Sequence, residues 1–183
     1  MTVRESHAIM TDGTNAQGLG EGSYQALIVG GVWQPDREAV VERSLGCQGA
    51  CLWFRCEGAM LWDAYGSMVR SLLIALRRYP SVHSIYVVAQ SSAILASEAE
   101  STLAAELQAE VSEDNLHTIT YLLRHMFGVE PQKWWGQIAD PQMAVRAAVR
   151  LLEEHPLMLS SVIIKGFLLE ETGTPLRPLN TKA

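Results

Sequence analysis

The residues best suited to metal chemistry in this chain are three cysteines and several histidines. Cys47, Cys51 and Cys56 are spaced C-x3-C-x4-C, and zinc binds thiolates and imidazoles well. The histidines available to join them are His83, His117, His125 and His155. A tight zinc knuckle uses a C-x2-C or similar pair, and the five-residue separation of Cys51 and Cys56 across a strand places them on opposite faces. The spacing therefore favours buried or half-buried thiols, with relocated zinc ligands as an alternative.

A second group of candidate residues follows the predicted strands, where ligands bind in parallel α/β sheets. These strand ends carry Gly31, Trp33, Arg55, Gln90, Ser91 and Ser92. The N–H groups of Gly30 and Gly31, together with the Arg55 guanidinium, suit a small anion. The two serines suit helix caps equally well, and Trp33 either fills space or stacks on a ligand. No Ser-His-Asp or Cys-His arrangement is evident in the sequence.

The elements that position these residues alternate along the chain. Apolar runs of strand length lie at 24–32, 51–55, 83–89 and 161–169. Helical patterns lie at 35–44, 64–78 and 141–154, and the stretch 94–127 contains two more, the second capped by Ser112 or Asp114. Residues 128–140 form a loop that carries Trp134 and Trp135. This alternation predicts an α/β fold with a mostly parallel β-sheet flanked by helices.

Length and charge limit the classes of protein to be considered. The 183 residues predict one domain over 23–183, preceded by a flexible glycine-rich tail or arm over 1–22. A net charge of −6 argues against a nucleic-acid surface and against docking on anionic lipid. No apolar run reaches the roughly 18 residues of a membrane helix, and the N-terminus lacks the pattern of a signal peptide. We therefore expect a cytoplasmic protein.

Several segments resemble β-class carbonic anhydrases. Leu52–Gly58 is similar to the family's strand ending in Arg-Asn-Ala-Gly, with Arg55 and Gly58 matching and the two residues between them differing. The stretch 63–75 resembles the helix that follows, and 155–176 resembles the closing strand and hairpin. The resemblance covers residues 24–95 and 141–178, and it implies the β-carbonic anhydrase fold.

The resemblance fails at the family's zinc motifs. The first strand of the family ends in Cys-x-Asp-x-Arg, and these positions align here with Gly31, Trp33 and Pro35. A later strand opens into His-x-x-Cys, which aligns with Gln90 and Ala93. Glycine and alanine offer no side-chain ligand, and a carboxamide is a poor one for zinc. Without zinc, no bound water is acidified to give hydroxide at neutral pH. We therefore predict neither a zinc site nor another cofactor.

The combined expectation is a β-carbonic-anhydrase-like protein that acts as a non-catalytic binding, regulatory or assembly subunit. Two alternatives stay open, namely an enzyme with metal-free chemistry in the same pocket and an active zinc carbonic anhydrase with relocated ligands. The resemblance implies a homodimer or a higher oligomer. A protein partner and a small anion are further candidate ligands.

Overall fold

The computed structural model describes residues 24–31, 33, 35–56, 61–91, 109, 111–126, 128, 130–131, 140–170 and 176–180. The strands in these ranges are β1 (Ala26–Gly30), β2 (Cys51–Arg55), β3 (Ser84–Gln90), β4 (Ile163–Leu169) and β5 (Arg177–Leu179). The helices are α1 (Pro35–Leu45), α2 (Ser67–Arg78), α3 (Glu113–Met126) and α4 (Pro141–Glu153). None of these helices is both long and apolar enough to cross a bilayer.

The strands form one sheet in the order β2-β1-β3-β4-β5. The first four strands in this order run parallel, and β5 pairs antiparallel with β4. Every residue of β1 is buried, as expected for a central parallel strand that is covered on both faces. The predicted α/β fold with a mostly parallel sheet is therefore confirmed.

Alternate residues of the central strands point into two separate cores, because successive side chains of a strand face opposite ways. Leu27 and Val29 of β1 pack in the larger core, together with buried residues of α2 and α4 such as Leu72 and Val149. Ile28 packs in the smaller core, together with Val41 of α1. Helices therefore cover both faces of the sheet, and the carboxyl ends of the parallel strands meet along one edge.

Helix α2 begins later than the sequence pattern over 64–78 predicts. Asp63 Oδ1 accepts a hydrogen bond from the N–H of Tyr65 at 2.9 Å, so its carboxylate closes a turn before the helix. The helix begins at Ser67, after Gly66 at the N-cap. Helix α4 begins at Pro141 as predicted, and Asp140 caps it by accepting a hydrogen bond from the N–H of Gln142.

Three expectations lie outside the described residues. They concern the tail at 1–22, the first helical stretch up to residue 108, and the loop bearing Trp134 and Trp135. The closing hairpin that the resemblance implied is present, since β5 returns along β4.

Candidate functional site

The sheet brings most of the predicted pocket residues to one edge. Gly30 pairs with Arg55 of β2 on one side and with Val88 of β3 on the other. Gly31 therefore follows the end of β1 beside the end of β3, where Gln90 is the last strand residue. Gly31, Arg55 and Gln90 thus lie along the same carboxyl edge. Ser92 and Ala93, predicted for the same pocket, lie outside the described residues.

Trp33 occupies the space directly over the end of β1. A Cβ atom built on Gly31 would lie 2.6 Å from Nε1 of Trp33, and one built on Gly30 would lie 3.3 Å from the same ring. Neither glycine has the positive φ that would itself require glycine. Space is therefore what restricts these two positions, through Trp33 at Gly31 and mainly through Trp53, whose Cζ3 would lie 2.8 Å away, at Gly30.

Trp53 of β2 completes this aromatic cover. Its ring meets Trp33 edge to face, with centroids 5.9 Å apart, a geometry favoured for aromatic pairs. Its Nε1 donates to Oε1 of Glu42 at 2.8 Å, and the other carboxylate oxygen accepts from the N–H of Gly49 at 3.0 Å. Glu42 of α1 therefore fixes the orientation of the ring that lies against Trp33.

Arg55, the predicted anion ligand, already has an anionic partner. Its Nε and Nη2 donate to the two carboxylate oxygens of Glu38 at 2.6 and 2.7 Å, a bidentate pair. This hydrogen bonding to Glu38 raises the pKa of the Arg55 guanidinium, which also lies 5.6 Å from the centroid of the Trp53 ring. An anion at this edge would have to compete with Glu38. The anion site stays a prediction, and the Arg55–Glu38 ion pair argues against it.

Ser91 is held by a second polar network at the end of β3. Its Oγ donates to Oε2 of Glu170 at 2.7 Å, and Arg177 donates to the other oxygen of Glu170 at 3.0 Å. These hydrogen bonds, first from Ser91 and then from Arg177, hold the pKa of Glu170 below its ordinary value. A carboxylate with a lowered pKa is a weaker base, so this geometry does not favour activation of Ser91 as a nucleophile.

Three glutamates at this edge were not predicted from the sequence, and they accept the hydrogen bonds that hold its other side chains. Glu38 and Glu42 lie four residues apart on α1, and Glu170 follows β4 directly. The available signal was the i, i+4 acidic pair on a helix that precedes a strand ending in Trp53 and Arg55. The acidic pair does not by itself identify Trp53 and Arg55 as its partners, because this requires knowing that β2 pairs with β1.

The cysteines differ from the expectation of separate thiols. Cys47 and Cys51 are joined as a disulfide, with Cα atoms 6.0 Å apart, and only Cys56 lies outside this bridge. The prediction was wrong for these two residues because it rested on the number and spacing of the cysteines and did not include the turn at Gly46 and Gly49. Both glycines adopt positive φ, and this turn returns the chain from α1 to β2.

The histidines are dispersed in the part of the chain that is described. His155 is buried, and its Nδ1 accepts a hydrogen bond from the N–H of Leu157 at 3.1 Å. His83, His117 and His125 are exposed. Across the described ranges, no group of three or more His, Cys, Asp or Glu side chains is arranged to hold a metal ion.

Comparison with known proteins identifies the architecture. No protein-family model matches the sequence, and no curated protein matches it significantly. Among solved structures, the β-carbonic anhydrase isoform I of the protozoan Trichomonas vaginalis superposes with a TM-score of 0.67 at 19% identity, covering 88% of this chain and 85% of that one. An apo carbon disulfide hydrolase gives a TM-score of 0.57 at 20% identity, with 85% and 78% covered.

A tetrameric β-carbonic anhydrase of the ascomycete Sordaria macrospora is a third similar structure. Its TM-score is 0.52 at 14% identity, and the superposition covers 87% of this chain and 82% of that one. Identities this low establish a common fold and leave the activity open. The chain therefore has the fold of the β-carbonic anhydrases.

Proposed function

We propose that this chain is a β-carbonic-anhydrase-like protein without a zinc site, acting as a non-catalytic binding, regulatory or assembly subunit. The fold supports the first part of the proposal. The positions aligned with the family's metal ligands support the second, because they are occupied by Gly31, Gln90 and Ala93. None of these three offers zinc a thiolate, imidazole or carboxylate.

The observation that carries the proposal is the position of Trp33. The indole lies where a side chain at residue 31 would have to be, with only 2.6 Å between its Nε1 and a Cβ on Gly31. A zinc-binding cysteine at 31 therefore needs the aromatic cover to be removed as well. The residues present do not fit the metal that the fold family implies, so we derive no reaction step through zinc.

The two alternatives have less support. An enzyme with metal-free chemistry would need convergent polar groups beside open space at the strand ends. Trp33 covers the end of β1, and Arg55 and Ser91 are each bonded to a glutamate. An active enzyme with relocated zinc ligands would draw on the cysteines, and two of these are joined to each other.

Self-association is part of the proposed assembly role. The resemblance implies a homodimer or a higher oligomer, and one similar structure is tetrameric. We propose that this chain also associates with copies of itself, as a scaffold that presents a binding surface.

The test is metal analysis of the purified full-length chain, paired with a CO2 hydration assay that uses the Trichomonas vaginalis enzyme as positive control. We expect substoichiometric zinc and no hydration above buffer. One zinc per chain together with rapid hydration would overturn the proposal.

A restored variant sharpens this test. We expect Gly31→Cys, Trp33→Asp, Gln90→His and Ala93→Cys together to give zinc binding. The matched variant that retains Trp33 should bind none. Equal zinc binding by both variants would remove the steric argument from the proposal.

A further inference from the structure

Helix α2 has a second, mostly exposed face beside the one that is buried in the core. One face packs Val69, Leu72 and Leu76 into the larger core. The adjacent face carries Arg70, Leu73, Ile74 and Arg77, spaced i, i+3, i+4 and i+7 along a single helical stripe, in which Leu73 is half-buried against the larger core. The stripe forms one wall of a groove of about 630 Å³, whose remaining lining residues are Ala64, Tyr65, His155 and Leu157.

The groove is apolar, exposed and preformed. Tyr65, Ile74 and Leu157 are 79%, 51% and 64% exposed. The wall opposite the stripe is fixed by the buried His155, whose ring lies 5.7 Å from that of Tyr65 and whose Nδ1 is bonded to the N–H of Leu157. Clustered exposed apolar side chains of this size typically mark an interaction site.

The two arginines of the stripe make the groove complementary to a partner with acidic groups. Among the described arginines, those at 55, 124, 150 and 177 have a glutamate partner, and those at 37, 43, 78 and 146 have no carboxylate partner within the described ranges. Arg70 and Arg77 have no carboxylate partner among the described residues. They lie two helical turns apart, about 10 Å along the axis, on either side of Leu73 and Ile74. A complementary surface therefore has two acidic groups flanking an apolar centre.

The openness of the groove favours a macromolecular occupant. A small molecule is usually buried over most of its surface, and walls as exposed as Tyr65 and Leu157 cannot provide this burial. A symmetric contact between two α2 stripes is also disfavoured, because it would place guanidinium groups of one copy against those of the other. The groove instead suits an acidic amphipathic segment that lies along it.

This chain carries a segment of that chemistry in the stretch 98–111, of which the structure describes only residues 109 and 111. In the sequence, Glu100, Leu103, Leu107 and Glu110 recur at i, i+3, i+7 and i+10, the spacing of one helical face. Their order, acid-apolar-apolar-acid, matches the order cation-apolar-apolar-cation of the α2 stripe; on a helix the two glutamates would lie about 15 Å apart along the axis, so their side chains have to reach inward to the two arginines. We propose that the acidic stretch 98–111 of one copy of the chain docks in the α2 groove of a second copy.

This inference rests on the self-association proposed above and names the surface that performs it. The measurement is sedimentation equilibrium of the full-length chain, with circular dichroism to verify folding. We expect the wild-type chain to self-associate, and Arg70→Glu/Arg77→Glu to weaken association by about tenfold or more, because like charges then face each other across the groove. The matched control Arg43→Glu/Arg146→Glu changes the net charge equally and should associate like wild type.

A charge exchange completes the test. Glu100→Arg/Glu110→Arg should weaken association by itself and restore it when combined with Arg70→Glu/Arg77→Glu. If the Arg70→Glu/Arg77→Glu variant associates as strongly as the wild-type chain, this surface is refuted and the proposed function still stands. A groove variant that changes thermal stability at constant mass would show that the occupant comes from the same chain, which also overturns the inference.

Discussion

The replacement of Gly31 by alanine tests whether Trp33 fills the place of a missing side chain. The new Cβ would lie 2.6 Å from Trp33 Nε1, which is 0.8 Å inside the 3.4 Å at which ordinary contact begins. The indole cannot retreat freely, because it packs on Trp53 and that ring is bonded to Glu42. Overpacking of this kind costs about 1–3 kcal/mol of unfolding free energy.

The assay is urea unfolding at 25 °C of a double-mutant cycle. With an m-value of about 2 kcal/mol/M, Gly31→Ala should lower the midpoint by roughly 0.5–1.5 M. In a Trp33→Ala background the same substitution should cost less than about 0.5 kcal/mol, because the clashing ring is gone. The difference between the two costs is the coupling energy of residues 31 and 33.

Gly46→Ala is the matched control. Gly46 has a φ of +70° and no atom within 4 Å of its built Cβ, so its cost is purely conformational. We expect about 1 kcal/mol in both backgrounds. An equal cost of Gly31→Ala with and without Trp33, or no cost in the wild-type chain, would refute the steric reasoning.

Further predictions concern the polar networks and the bridge. Arg55→Met should cost about 0.5–1 kcal/mol in the same urea assay, since its ion pair is partly exposed, and a neutral result would contradict a stabilising role. The lowered pKa of Glu170 gives stability that is present above the ordinary carboxyl pKa and lost as pH falls through the folded value. In Ser91→Ala, carbon NMR should find this pKa higher; an unchanged titration would exclude the Ser91 hydrogen bond as its main cause. Alkylation under denaturing conditions without reductant should leave Cys47 and Cys51 unmodified, and their labelling would exclude the disulfide.

The sequence predicted the helices and strands well where the hydrophobic pattern was continuous. The run around Ile28 and the stripe containing Leu72 predicted β1 and α2, because burial of these side chains requires those periods. The start of α4 at Pro141 was predicted as well, whereas its cap at Asp140 was not. The start of α2 was placed too early, because a carboxylate before a helix can close a turn as readily as it can cap.

The sequence predicted which residues meet at the candidate site, but not which side chains they contact. Parallel strands alternating with helices predict that Gly31, Arg55 and Gln90 meet at one edge. The partners of these side chains were not predictable, because they come from other elements. Glu38 reaches Arg55 across 17 residues, and Glu170 reaches Ser91 across 79.

Periodicity, which the sequence contains by itself, determined the α/β class, and the resemblance to β-class carbonic anhydrases aligned Gly31, Gln90 and Ala93 with the family's zinc ligands. Tertiary structure alone decided that Trp33 lies over Gly31, that Arg55 is paired with Glu38, and that two arginines of α2 with no carboxylate partner in the described part of the chain lie beside an apolar groove. The physical reason is that side-chain contacts depend on which strands are neighbours and on where each helix crosses the sheet. These relations join residues far apart in the chain.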